Sequence, residues 1–164
     1  MDNYISLLEK IIKKDSITDI EYYSLSTYRV NHLDYLRSRE NCSWCLLELG
    51  RYYLDSMIEF VDFDTVAYDY LSKSSVRGNL TARGLLAGLY LEQWFKYHDI
   101  DIAFQLYKES VGNNKYYFSL SKYSLSVINK LEELENEKIK NKELQRLSQF
   151  DIGSILYNDC KKYI

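Results

Sequence analysis

The 164-residue chain predicts an all-α protein, and three observations carry that prediction. Proline is absent, although it normally supplies about 5% of residues and punctuates sandwiches, hairpins and linkers. Glycine is scarce, with six residues, and the β-branched runs that half-buried strands prefer are few beside the helix-forming Leu, Lys, Glu and Ser. Apolar residues also recur at helical spacing from the first turn onward. A chain of this length buries about two-thirds of its unfolded surface, so one self-sufficient domain is expected.

The elements follow in order. Tyr4, Leu7, Leu8, Ile11 and Ile12 line one face of a first helix, with Asp2 or Asn3 able to cap it. Thr18 and Glu21 have the spacing of a capping box, so a second helix starts there. It contains Ile20, Tyr23, Leu25 and Tyr28, and a break or bend is expected near Asn31 before Leu33 and Leu36 resume the pattern.

From residue 43 the text becomes self-similar. Leu49, Gly50 and Tyr53 line up with Leu86, Ala87 and Tyr90 at an offset of 37, each triplet late in its helix. An acidic turn follows each, with Ala67 aligning with Ala103 at an offset of 36. Asp64 and Asp101 are placed as first-turn or capping acids, and Gly78-Asn79 and Gly112-Asn113 as stops for the helices that follow. Beyond residue 126, Ile128, Leu131 and Leu134 keep a helical stripe, but Ile139 and Leu144 fall out of phase, which predicts a break near Asn136. Ile152, Ile155, Leu156 and Tyr163 suit a last helix that covers an open end.

Helix, turn, helix, Gly-Asn is the grammar of an α-solenoid. The spacing of Gly78, Ala82, Leu86 and Tyr90, with the series Ala67, Tyr70, Leu71, Lys73, Ser74 and Gly78, resembles the Sel-one-like repeat, a tetratricopeptide-type helical repeat. The resemblance covers residues 41–125 and implies a short right-handed α-solenoid of antiparallel helix pairs. Residues 1–40 and 126–164 would supply flanking and capping helices within a single domain, 1–164. The repeats depart from the family pattern where Gly50 gives way to Ala87, and a third unit, Lys115 to Leu125, matches only loosely. Ala67, Ala82, Gly88 and Ala103 are expected at helix contacts, where a larger side chain would force neighbours apart.

The first residues alternate apolar and charged positions, unlike a signal peptide, and no apolar stretch approaches the roughly 20 residues that cross a bilayer. Three cysteines do not make a disulfide framework, so a cytoplasmic protein is expected. A net charge of −3 argues against nucleic acid. Charge is uneven: residues 41–112 hold six Lys/Arg against ten Asp/Glu, and residues 113–164 nine against seven.

Cys42-Ser-Trp-Cys45 is the one motif with a chemical reputation, as a redox dithiol or half a zinc site. No strand precedes it, and His32, His98 and Cys160 are the only other soft ligands, so buried structural cysteines on a helix are expected. No nucleophile motif, phosphate loop or EF-hand spacing is present. A non-catalytic protein without metal or cofactor follows.

The seventeen tyrosines are the strongest compositional oddity. In the pairs Tyr22-Tyr23, Tyr52-Tyr53 and Tyr116-Tyr117, neighbours point about 100° apart on a helix, so both members cannot face one core. Exposed tyrosines suit protein interfaces. The expected partner-binding residues are Tyr52, Tyr53, Asp55, Glu59, Asp62, Asp64, Asp69, Tyr90, Tyr116 and Tyr117. Small degenerate Sel-one-like proteins of this kind resemble bacterial immunity proteins, which implies direct binding of a toxin, and the acidic middle suits a basic toxin domain. The alternatives are an adaptor or scaffold, a homo-oligomer using the same surface, and, behind these, an enzyme or redox protein built on Cys42 and Cys45.

Overall fold

A computed structural model of the chain describes residues 3–55, 61–110 and 122–147, and every regular element among them is helical. The chain divides into two units, Met1–Ser124 and Leu125–Ile164. The first begins with α1 (Asn3–Lys14), which buries Tyr4, Leu8 and Ile11. It stops at Asp15, whose φ of 52° is a left-handed conformation that aspartate tolerates better than most residues.

Thr18 then opens α2 (Asp19–Ser26) with a complete capping box: its hydroxyl accepts from Glu21 N, and the Glu21 carboxylate accepts from Thr18 N. α2 is shorter than expected, and the chain turns through a 3₁₀ segment (Arg29–His32) into α3 (Leu33–Arg37). The inward face here is Glu21, Tyr22, Leu25 and Arg29, while Ile20, Tyr23 and Tyr28 are exposed. Hydrophobic periodicity misses this face because two of its four residues are charged.

Those charges are compensated. Glu48 lies 1% exposed on α4 (Ser43–Asp55) and accepts from Tyr4 Oη at 2.8 Å, Arg29 Nε at 3.1 Å and Arg51 Nη1 at 3.0 Å. Arg29 also reaches Asp55 at 2.8 Å. Arg51 donates to Tyr22 O and lies 3.6 Å from the Tyr22 ring centroid. α1, the 3₁₀ segment and α4 are thus joined by one buried ionic network.

α5 (Phe63–Val76), α6 (Leu80–Leu91) and α7 (Ile100–Glu109) follow, with α4 packed on α5, α5 on α6 and α6 on α7. A side chain on Gly50 would put its Cβ 2.7 Å from Leu71, so α4 and α5 approach closely at that point. Ala67, Ala82, Gly88 and Ala103 are buried, as small residues at helix contacts require. Gly78, at φ 90°, ends α5: its N–H reaches Ser75 O and that of Asn79 reaches Ser74 O, the paired bonds of a Schellman stop. Asn79 then caps α6 by accepting from Ala82 N.

The described part of the second unit is helical. α8 runs unbroken from Lys122 to Leu147, through Asn136, where the shift in apolar phase had predicted a break. Asparagine costs a helix only a few tenths of a kcal/mol against alanine, and no glycine or proline accompanies it. Gly112, Asn113 and the expected helix after Asp151 lie outside the described residues. Among the described residues, no helix is long and apolar enough to cross a membrane.

Candidate functional site

The two acidic turns that the repeat spacing marks out come together in the structure. The turn before α5 carries Asp62, at the N-cap position without a side-chain cap bond, and Asp64 in the first helical turn. The turn between α6 and α7 carries Asp99, which caps α7 by accepting from Ile102 N at 3.0 Å, and Asp101 in its first turn. Phe63 of one turn meets Trp94 of the other, with ring centroids 5.3 Å apart. Trp94 is 47% exposed and Tyr97 45%, so two large rings remain open to solvent between acidic flanks. Lys96 lies 4.9 Å from the Tyr97 ring centroid.

Beneath this surface Tyr68, Tyr90, Phe95 and Tyr97 form a chain of edge and tilted ring contacts at 5.2–5.9 Å. The Tyr90 hydroxyl donates to the Tyr68 hydroxyl at 3.1 Å. Burial, then the hydrogen bond to Tyr68, push the Tyr90 phenol upward, so it stays protonated. His98 Nδ1 lies 2.9 Å from Tyr90 O, and Asp99 N donates to the same carbonyl. The turn is therefore tied to the end of α6 and presents its rings from a fixed frame.

The other expected contact residues are distributed. Tyr52 and Tyr53 are both half-buried, with rings 5.1 Å apart, and Tyr53 stacks on Tyr70 at 5.9 Å while its hydroxyl accepts from Arg37. They form a second aromatic cluster, between α4 and α5. Asp55 is exposed but engaged by Arg29, and Asp69 is engaged by Lys73 one turn on. Tyr90 lies in the core at 8% exposure and supports the exposed rings from below. Glu59, Tyr116 and Tyr117 lie outside the described residues.

Phe63, Trp94, Tyr97 and Asp99 were missed by reasoning from sequence. Trp94 stands in a turn with no periodicity to read, but its place in the acidic turn between α6 and α7 was a usable signal.

Among the described residues, no group of three or more His, Cys, Asp or Glu could hold a metal ion. Cys42 and Cys45 sit at the start of α4, away from the turns in sequence, with Cys42 half-buried and Cys45 buried.

Known proteins give no further guide. The chain has no significant match among family models, curated proteins or solved structures.

Proposed function

We propose that the chain is a protein-binding helical-repeat protein whose non-catalytic working surface is the acidic, aromatic pair of turns around Phe63, Trp94 and Tyr97. The observation that carries this reading is the Phe63–Trp94 contact, which joins the two turns into one surface with 47% of Trp94 left open to solvent. A half-exposed tryptophan on a fixed frame is the kind of anchor that supplies most of an interface's energy. The flanking Asp62, Asp64 and Asp101 favour a basic protein partner and speed its approach.

The order of packing, α4 to α5 to α6 to α7, suits two Sel-one-like units of a short right-handed α-solenoid of antiparallel pairs, flanked by helices at either end. On that resemblance, the role is that of a cytoplasmic immunity protein that neutralises a cognate bacterial toxin by covering its basic surface.

Affinity capture from the native cells with the tagged chain tests this, run beside Trp94→Ala and Asp62→Lys/Asp101→Lys. The expected result is a basic protein retained by the wild type, lost from both variants and released by raised salt. The same proteins in all three eluates would overturn the surface. Growth rescue when the captured protein is expressed as a toxin separates immunity from an adaptor role.

A further inference from the structure

Cys42 and Cys45 share no residue with the surface described above, and their placement has chemistry of its own. Cys42 occupies the N-cap of α4, where its carbonyl accepts the first helical hydrogen bond, from Leu46 N at 3.1 Å. Cys45 follows three residues on, in the first turn of α4, so the two side chains are neighbours on the helix surface. Exposure is asymmetric: Cys42 is half-buried, and Cys45 is 0% exposed directly behind it. Trp44, between them, is turned into the core, its indole N–H held by Asp15 at 2.8 Å.

A helix N-terminus carries partial positive charge and stabilises a thiolate over a thiol. Hydrogen bonding with Cys45 has the largest effect on Cys42; burial opposes it, and the backbone at Cys45 and Trp44 and the Arg39 guanidinium reinforce it. Together they hold Cys42 below the ordinary thiol range. The bond to Cys42 and burial push Cys45 upward instead, with Glu48 adding to the rise. On α3, Tyr35 has an enclosed and unpartnered hydroxyl, with the Arg39 guanidinium 4.4 Å from its ring centroid, and Glu9 of α1 and both cysteines act on the same phenol. Burial was expected of both cysteines; it holds for Cys45, whereas Cys42 is half-buried at the helix start. A preceding strand is dispensable to this arrangement, because the helix start supplies the field.

We propose that Cys42 and Cys45 form a thiol–disulfide exchange site, with Cys42 attacking a substrate disulfide R–S–S–R and Cys45 resolving the product. In the first step the Cys42 thiolate attacks one substrate sulfur. The R–S–S–R bond breaks, a Cys42–S–S–R bond forms, and RS⁻ leaves with the electron pair and takes a proton from water. In the second step the Cys45 thiol gives its proton to water, and its sulfur attacks Cys42 Sγ, expelling the second RS⁻, which takes a proton from water. The two cysteines lose two electrons and become a disulfide, and the substrate becomes two thiols.

The test uses the full chain carrying Cys160→Ser, oxidised glutathione as the probe, acid quenching and intact mass. The parent should end two hydrogens lighter, Cys45→Ser should stop at one glutathione adduct on Cys42, and Cys42→Ser should not react. Iodoacetamide labelling of the parent at pH 5.5 needs no variant at the site. A thiol held below its ordinary range keeps more thiolate there than an ordinary cysteine, and its lower nucleophilicity offsets only part of that gain. Cys42 should therefore label faster than free cysteine. Insulin disulfides in place of glutathione distinguish a protein substrate from a small one. Reaction with neither disulfide, an adduct-free Cys45→Ser, a reactive Cys42→Ser or ordinary labelling at pH 5.5 would each overturn the site.

Discussion

Glu48 is enclosed between two guanidinium groups and a phenol. Burial alone would favour the neutral form of Arg29, but Glu48, with Asp55, holds it charged, and Tyr4 keeps its proton because burial and Glu48 both disfavour phenolate. Removing one partner of such a set leaves the others as uncompensated buried charge. Glu48→Ala should cost about 3–5 kcal/mol in urea unfolding, and the combined change Arg29→Met, Glu48→Leu, Arg51→Met should recover most of that loss. Glu21 supplies a pH dependence. Burial raises its carboxyl, but hydrogen bonds from Lys14 and Thr18 outweigh burial and hold it at about 2, below the ordinary 4.5. A carboxyl depressed in the folded state stabilises above its unfolded value and loses that contribution as pH falls. Thermal stability should therefore decline between about pH 4.5 and 2, and Glu21→Gln should flatten that decline. The inward positions of Glu21, Arg29, Glu48 and Arg51 were illegible in the sequence, since periodicity ranks residues by hydropathy and cannot see a partner that is distant in the chain.

Among the elements, starts and stops were the most readable features. The Thr18–Glu21 box, the Gly78 stop and the small residues at 67, 82 and 103 depend on local stereochemistry that a few neighbouring letters encode. The end of α2, the 3₁₀ turn and the continuity of α8 were less so, because each depends on packing or on the sum of weak propensities. Close approach at Gly50 gives the sharpest test of the α4–α5 crossing. Leu71, 0% exposed, cannot swing clear of an added methyl 2.7 Å away. Gly50→Ala should lose about 1–3 kcal/mol and lower the urea midpoint by roughly 0.5–1 M. An unchanged midpoint would mean that the two helices do not meet there.

For the whole molecule, helical class was legible because it rests on many independent residues, among them the missing prolines and scarce glycines. The candidate surface was half legible: the acidic turns were, while Trp94 and Tyr97 emerged only once Phe63 was seen against Trp94. Of the tyrosine pairs, Tyr22 and Tyr23 divide into one buried and one exposed residue as helical geometry requires, whereas Tyr52 and Tyr53 share partial burial against α5. The Glu48 network also sets how far the segment from residue 41 can be handled as a module. Its partners on α1 and in the 3₁₀ segment lie 44 and 19 residues upstream, so α4 relies on groups from outside that segment to neutralise its interior. A fragment starting at residue 41 would leave that carboxylate facing Arg51 alone, and grafting such a fragment onto another helical protein would require Glu48 to be redesigned first.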